Sequence, residues 1–181
     1  RRFFPGVQAG LQGIWNINRT WGLYVEPRAR ICKKDFLHIP GSTAPIDGFA
    51  SLSAGLRLNI SAPSDNGNGR FSEDEVRDEA FVSGASGVSV HASHLRTACM
   101  YGPAERISYG RWINPGRAWR VSVTNRTHKG RKERFVRMAA GADYIADISA
   151  LTRMYDPARK VSLRAYAGVD MGVDKLKRNS A

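Results

Sequence analysis

Long runs in which apolar and polar residues strictly alternate are the dominant feature of this 181-residue chain. Alternation with a period of two gives a β-strand one apolar and one polar face, whereas an amphipathic helix repeats every 3.6 residues. The cleanest run covers positions 161–173, and all of its odd positions are apolar: Val161, Leu163, Ala165, Ala167, Val169, Met171 and Val173. Helical periodicity is hard to find elsewhere. The pattern therefore predicts an all-β protein.

Eight such runs follow one another along the chain. They cover approximately positions 7–17, 21–32, 50–60, 80–92, 105–113, 118–126, 136–148 and 161–173. The first two form a hairpin around the tight turn Asn18-Arg19-Thr20. Pro27 is awkward inside the second run, because proline has no N–H for a sheet hydrogen bond and should lie at an edge, a bulge or an irregular spot. We predict an antiparallel up-and-down β-barrel of about eight strands.

Strand length favours a barrel that crosses a membrane. Most of the runs are 11 or more residues long, whereas globular strands cluster near five or six residues and a tilted transmembrane strand needs about 9–11. A transmembrane barrel keeps only alternate residues apolar, so a mean hydropathy of −0.39 is compatible with one. We predict that lipid contacts the odd residues of runs one, two and eight and the even residues of runs three and seven.

The polar faces of the runs carry charges of both signs in the middle of strands. These charged residues are Glu26, Arg28, Arg30, Arg57, Arg120, Arg137, Asp143, Asp147, Arg164 and Asp170. Because Gly, Ser, Gln and Asn are abundant beside them, a confined interior fits better than open solvent, and we predict a charge network in the barrel lumen. In a soluble barrel or sandwich the same residues would form a solvated outer face, an alternative that alternation alone leaves open.

All four tryptophans lie next to the two tightest turns. Trp15 and Trp21 flank the first hairpin turn, and Trp112 and Trp119 flank the turn at 114–117. Transmembrane barrels carry aromatic girdles at the membrane interfaces and have short periplasmic turns. We predict that the four tryptophans form such a girdle. The alternative is that they are core residues beside turns.

Strand parity assigns the connections to two sides of the barrel. If the strands alternate up and down, both tight turns lie on one side, and the two-to-three, four-to-five and six-to-seven loops lie on the other with both chain ends. The basic clusters fall on this second side: Arg1-Arg2, Lys33-Lys34, His94–Arg96, Arg126–Lys132 and Lys175–Arg178. The protein is therefore expected to have one strongly basic rim.

The segment 61–79 separates residues 1–60, with three predicted strands, from residues 80–181, with five. It is rich in Pro, Gly and Asn and then acidic, which is typical of a polar linker. Parity puts this long segment on the side of the tight turns, so a conventional barrel would start near Phe81 and end near Ile60. We expect one barrel, permuted or cut from a longer chain, or parts of two tandem barrels.

Several stretches resemble a known family. They read GVQAGLQGIWNINRTWGLYVEPRARI (6–31), FASLSAGLRLNI (49–60), FVSGASGVSV (81–90), SYGRWINP (108–115) and YDPARKVSLRAYAGVDMGV (155–173). The chain resembles small outer-membrane β-barrel proteins of the Bacteroidetes type, related in style to the transmembrane domain of outer membrane protein A. The resemblance implies a fold and a location in the bacterial outer membrane, and hardly bears on activity. Such barrels commonly end on an aromatic residue, whereas this chain ends Asn179-Ser180-Ala181, as expected for a fragment or a permuted segment.

The basic rim suggests a partner in such a membrane. The outer leaflet displays anionic lipopolysaccharide phosphates, which lysine and arginine hold by charge-assisted contacts. We predict that Lys129, Arg131 and Lys132 contact lipopolysaccharide. The alternative is that these residues only make a loop soluble.

Motifs for catalysis or metal binding are not found in the sequence. Cys32 and Cys99 have no CxxC or Cys/His spacing around them, so two unpaired thiols are expected. His91 and His94 lie three apart but match no metal-ligand motif. A GxSxG elbow and a phosphate-binding glycine loop are lacking. Asp143 and Asp147 lie on one face of their strand and are more simply partners for Arg137 and Arg164 than a general acid/base pair. We expect no enzymatic activity, no cofactor and no bound metal.

Two other functions compete with the membrane barrel. The net charge is +12, from 28 Lys and Arg against 16 Asp and Glu, which is typical of nucleic-acid binding on a soluble basic β-barrel. However, the basic residues concentrate in loops and do not interleave with exposed aromatics, so no nucleic-acid partner is expected. A lipocalin-like small-ligand carrier is the second alternative. We predict an outer-membrane protein with a structural or small-pore, porin-like role, and the sequence leaves its oligomeric state open.

Overall fold

Eight antiparallel strands close into one barrel in the order in which they occur along the chain. The computed structural model describes residues 2–18, 20–33, 46–60, 79–92, 100–129, 133–153 and 159–178. The strands are β1 (Arg2–Asn16), β2 (Trp21–Lys33), β3 (Ile46–Asn59), β4 (Ala80–Ala92), β5 (Met100–Asn114), β6 (Arg117–Lys129), β7 (Glu133–Asp147) and β8 (Val161–Arg178), and α1 (Ile148–Arg153) follows β7. β1 pairs with both β2 and β8, so the described sheet has no free edge.

The predicted all-β, eight-stranded antiparallel barrel is confirmed. Its strands extend beyond the alternating runs at several ends, most clearly at the start of β5. There the outward positions carry Pro103 and Glu105 instead of aliphatic residues, so the alternation signal fades although sheet pairing continues. α1 was not predicted, because six residues are too few to show a helical period.

The side-chain orientation along the strands follows the parity expected from the sequence. Odd residues of β1, β2 and β8 and even residues of β3 and β7 lie on the outside of the barrel. The large apolar residues exposed on this outer wall include Val7, Leu11, Val25, Ile31, Leu52, Leu56, Ile107, Val121, Val123, Met138, Leu163, Val169 and Met171. Polar residues alternate with them on the inside, which is the reverse of a soluble barrel with an apolar core.

Pro27 lies where the β1–β2 pairing is interrupted. The register pairs Gly10 with Arg28 and Gly13 with Val25 but records no pair between them. The missing N–H of Pro27 therefore falls at an irregular spot, as its chemistry requires. Pro27 still lies opposite Leu52 on its other side, in the continuous β2–β3 ladder.

Two tight turns mark one end of the barrel, which we call the tight-turn end. In the first, Asn18 Oδ1 accepts hydrogen bonds from the backbone N–H groups of Thr20 and Trp21, at 2.9 and 2.7 Å. In the second, Asn114 Oδ1 accepts one from Gly116 N–H at 3.0 Å. Both are local side-chain turns of the kind that asparagine favours, and they give strands β1–β2 and β5–β6 their short connections.

Several predicted features lie outside the described residues. These are the linker apart from its last residue, Glu79, and the basic segments at 34–45, 93–99 and 130–132. Cys99, His94, Arg131 and Lys132 belong to this group. Cys32 is described, and its side chain is buried inside the barrel.

Candidate functional site

The lumen is the most unusual environment in the molecule, because charged side chains fill it. All ten residues predicted for the lumen are buried, on the inward positions of their strands: Glu26, Arg28, Arg30, Arg57, Arg120, Arg137, Asp143, Asp147, Arg164 and Asp170. They come from β2, β3, β6, β7 and β8. Buried ions are stable only when other charges or hydrogen bonds compensate them, so their contacts decide what the lumen can do.

Glu26 lies at the centre of the network and is fully buried. Its carboxylate forms a two-pronged ion pair with the Arg106 guanidinium of β5. It also accepts a 3.0 Å hydrogen bond from Arg120 of β6 and a 2.5 Å hydrogen bond from the Tyr166 hydroxyl of β8. Gln12 of β1 donates a further bond of 3.3 Å. One carboxylate therefore joins strands from all around the barrel.

A second carboxylate, Asp143 of β7, extends this network. Arg120 donates to Asp143 Oδ2 through Nη2 at 2.7 Å and through Nε at 2.9 Å. Gln8 Nε2 donates to Asp143 Oδ1 at 2.6 Å, and the other end of the same amide, Gln8 Oε1, accepts a 3.2 Å bond from Arg28. Charge-assisted bonds of this kind are the stronger ones, and together they hold the middle of the lumen rigid.

Tyr166 reaches Glu26 only because Gly10 lies opposite it in the sheet. A Cβ atom at position 10 would lie 2.5 Å from the tyrosine hydroxyl oxygen and 2.5 Å from the Pro27 carbonyl oxygen. The missing side chain lets the ring lie across β1, where the Arg120 guanidinium stacks 4.4 Å from its centroid. Gly10 is thus required for the packing of the central network.

Two further ion pairs flank the centre. Arg30 Nε lies 2.5 Å from Asp170 Oδ2, and Arg164 Nε donates to Asp147 Oδ2 at 2.9 Å. The second oxygen of Asp147 accepts the backbone N–H of Ala150 at 2.9 Å and so caps α1. One carboxylate thereby fixes both the lumen arginine and the helix at the tight-turn end.

Aromatic side chains close the tight-turn end from inside. Phe81, Trp112, Ala118, Ile145 and Tyr166 form a buried apolar cluster. The Arg57 guanidinium lies 4.0 Å from the Phe81 ring centroid, and that of Arg164 lies 4.6 Å from the ring centroid of Trp112. These stacked cations connect the charged centre to the apolar end.

The girdle prediction is wrong for Trp112. This residue is 4% exposed, whereas Trp15 is 61% exposed on the outer wall. The reason is the pleat of β5, which turns Trp112 inward with Arg106 and Ser108; being close to a turn does not decide which face a residue occupies. Trp21 and Trp119, like Trp15, are exposed on the outer wall. Tyr109 and Tyr144 join them there, and the ring of Tyr109 meets Trp119 edge-on at 5.7 Å.

The assignment of Arg126 to a basic outer loop is also wrong. β6 continues to Lys129, and Arg126 faces into the lumen, 2% exposed. The even positions Arg120, Ser122 and Thr124 already face inward, so the same alternation continued by one step predicts this orientation. The alternation therefore extends to Arg126, but the basic residues around it led to its assignment to a loop.

Other lumen residues were not singled out from the sequence. Arg106 lies in a run whose apolar face is weak, and Gln8, Gln12 and Tyr166 occupy polar-face positions of their runs. Glu79 directly precedes β4 and is buried near Arg57, and burial raises the pKa of its carboxyl to about 7 while Arg57 opposes the shift. The parity of their own runs places Arg106 and Tyr166 on the inward face, but no sequence pattern identifies Glu79.

The central network binds its own groups to one another. Within the described ranges, no three His, Cys, Asp or Glu side chains are arranged to hold a metal ion. No helix in this part of the chain is long and apolar enough to cross a membrane.

Comparisons of the chain with protein-family models, with characterised proteins and with solved structures find no match.

Proposed function

We propose that this protein is an outer-membrane β-barrel whose role in the cell envelope is structural. The observation that carries the proposal is the apolar outer wall, where Ile107 is 70% exposed and residues such as Leu52, Leu56, Val169 and Met171 are exposed around the barrel. Soluble monomers rarely expose contiguous apolar surface on this scale, whereas lipid requires it of a spanning barrel.

The height of the apolar wall supports the proposal. On β8, the outward residues are apolar from Val161 to Met171, a distance of ten residue steps along the strand. At about 3.4 Å per residue and a strand tilt of about 40°, this stretch is about 25 Å tall, which is the height of the apolar band on transmembrane barrels. The closed sheet also leaves no unpaired backbone edge for lipid to meet.

Aromatic residues at one level of the wall support a membrane interface there. Trp15, Trp21 and Trp119 lie outside near the tight-turn end, and Tyr109 and Tyr144 extend the same belt. Indole and phenol rings favour the boundary between headgroups and acyl chains, because they carry an apolar body and a polar group. We assign this level to the periplasmic interface, since short turns are typical of that side.

The apolar band is shorter on one side of the barrel. On β5 and β6, Arg111 and Arg117 are exposed toward the tight-turn end, and Glu105 and Asn125 are exposed toward the other end. Glu105 and Asn125 lie directly opposite each other in the sheet. A bilayer accommodates a short band by thinning locally or by letting flanking side chains reach the interface, so we expect the membrane to be thinnest beside these two strands.

The filled lumen supports a structural role over a wide pore. Glu26, Arg106, Arg120, Asp143 and Tyr166 bond to one another across the middle of the barrel. An eight-stranded barrel is just wide enough for its own side chains. We therefore propose that the protein carries no large aqueous channel, and that the small-pore, porin-like role is the less favoured form of the function.

The distribution of residues argues against the two soluble alternatives. A lipocalin-like carrier keeps an apolar cavity inside and a polar surface outside, and the described barrel has these reversed. Nucleic-acid binding on a barrel uses aromatics and cations together on an exposed strand face. Here the strand arginines are mostly buried, and the exposed Arg111 and Arg117 lie at the edge of the apolar wall.

Two measurements test the proposal. Protein refolded with phospholipid vesicles should float with them in a density gradient and stay with them after a high-salt and alkaline wash. Protein that remains soluble without detergent and sediments apart from the vesicles would contradict a membrane barrel. In planar bilayers, the refolded protein should give no large stable conductance step; such a step would reject the filled lumen and favour the porin-like role.

A further inference from the structure

A cluster of arginines occupies the lumen beyond the central network, toward the end opposite the tight turns. We call Arg28, Arg30 and Arg126 the arginine cluster. All three are buried, with exposures of 5% or less. Arg126 lies within electrostatic range of both Arg28 and Arg30, and Asp170 is the nearby carboxylate. Asp170 already pairs with Arg30, and Glu26, which also lies within electrostatic range of Arg28, is already bound by the arginines of the central network.

Several donor groups of the arginine cluster have no hydrogen-bond partner among the described residues. They are Nε of Arg28, both Nη atoms of Arg30 and Nε of Arg126. Arg28 makes one bond, to Gln8. Arg126 is only 2% exposed, and its Nε is one of these donors. Leaving a buried cation's donors without partners is costly, so these donors point to an anion that the described residues do not supply.

Small inward residues line the wall between Arg28 and Arg126. The register runs from Arg28 to Ser51 on β3, then to Ser89 on β4 and Gly102 on β5, and Ala104 on β5 lies opposite Arg126. By contrast, Phe81, Trp112 and Tyr166 fill the lumen toward the tight-turn end. The arginine cluster therefore faces short side chains, two of which carry hydroxyl groups that can donate hydrogen bonds to an anion.

We propose that the arginine cluster binds a small oxyanion of the phosphate or sulfate type inside the barrel. Guanidinium groups match such anions because their planar N–H forks meet two oxygens at once. Arg28 and Arg126 hold the anion from two sides, and Ser51 supplies a neutral donor. A phosphate in a lipid headgroup does not reach this site, since its acyl chains lie outside the wall. The site depends on the barrel alone and does not require that the barrel lie in a membrane.

The test uses the whole chain refolded in an uncharged detergent, with inorganic phosphate as the probe and chloride of equal ionic strength as the reference. Phosphate at ten times its dissociation constant should raise the thermal midpoint of the wild type by about 3–6 °C. Calorimetric titration should show one saturable site. A wild type with neither a phosphate-specific shift nor saturable binding would overturn the proposal.

Variants separate a specific site from general charge screening. Arg126→Gln should weaken phosphate binding at least tenfold, while in chloride it should be no less stable than the wild type, because it removes an unpaired buried charge. Arg111→Gln, which removes an arginine exposed on the outer wall, should bind phosphate as the wild type does. If Arg126→Gln does not refold, Arg28→Gln takes its place. Equal binding by the lumen variant and the Arg111 control would refute the site.

A phospholipid control separates free phosphate from a lipid headgroup. Micelles that contain a phospholipid, without free phosphate, should give no shift of the thermal midpoint. A shift there would assign the ligand to a headgroup and contradict the proposal.

Discussion

Arg120 on β6 donates a 3.0 Å hydrogen bond to Oε2 of Glu26 on β2, the strand diametrically opposite in the barrel. The contact spans the whole width of the lumen. Since Arg106 binds the same carboxylate from a third strand, the two halves of the wall are joined through their interior as well as through the sheet. The lumen side chains are therefore part of the barrel's architecture.

Loss of the Glu26 charge should destabilise the barrel strongly. Glu26→Gln leaves Arg106 and Arg120 buried beside a neutral group, and breaking a buried pair by removing one partner costs about 3–5 kcal/mol. Urea unfolding of the refolded protein in vesicles, followed by tryptophan fluorescence, measures this loss. Glu105→Gln is the matched control, because Glu105 is an exposed carboxylate on the outer wall. Equal effects of the two substitutions would show that the central network contributes little.

The tryptophans should divide into three that contact lipid and one that does not. Brominated phospholipids quench indoles within the bilayer, so single-tryptophan variants that retain Trp15, Trp21 or Trp119 should be quenched. The variant that retains Trp112, which is buried against Phe81 and Arg164, should be quenched several-fold less. Quenching of Trp112 as strong as that of Trp15 would place it outside the lumen and refute the inward orientation.

Glu79 should make the barrel less stable as the pH rises from about 4.5 to about 7. Burial raises the pKa of Glu79 from its ordinary 4.5 to about 7, so the folded state binds a proton more tightly than the unfolded state. Below about pH 4.5 the group is protonated in both states, and above about pH 7 the folded state carries the full cost of a buried charge, on the order of 1–3 kcal/mol. Glu79→Gln should remove this part of the difference between unfolding midpoints at pH 5 and pH 8. A difference as large in the variant as in the wild type would contradict the prediction.

The basic rim should retain lipopolysaccharide in a salt-dependent way. Lys129 ends β6 at the end opposite the tight turns, and Arg131 and Lys132 follow it in the sequence. Replacing all three by Gln should reduce the lipopolysaccharide that co-purifies or binds at low ionic strength, with the difference from wild type shrinking as salt screens the charges. Arg111→Gln again serves as the control. Retention unchanged by the triple substitution at low and high salt would leave these residues only a solubilising role.

The barrel and the contents of its lumen were predictable because alternation is a local property. Each strand reports which of its residues face inward, and Arg28, Asp143 and Asp170 followed from it directly. Trp112 was wrongly placed on the outer wall because its distance from a turn was used instead of its parity in the strand. Arg126 was wrongly placed in a loop because the end of β6 is as basic as the loop that follows it.

The sequence could not predict which lumen side chains bond to one another, for a different reason. The bond between Tyr166 and Glu26 joins residues 140 positions apart, and it depends on Gly10 leaving space for the ring. Burial of Glu79 depends on how the chain enters β4 near the Arg57 side chain. Such features follow from closure of the barrel, since only closure sets which inward side chains meet.

The central claim, that the apolar wall faces lipid, is tested most directly at Leu56, which is exposed on β3 three residues before the strand ends at Asn59. A spin label at Leu56→Cys, with both native cysteines replaced by alanine and the protein in vesicles, is compared with one at Thr20→Cys in the first tight turn and one at Ala165→Cys on β8. The account predicts that oxygen, which concentrates in the bilayer, relaxes the labels at 56 and 165 strongly, while a water-soluble nickel complex reaches them far less than the label at 20. Nickel access at position 56 equal to that at position 20 would contradict it.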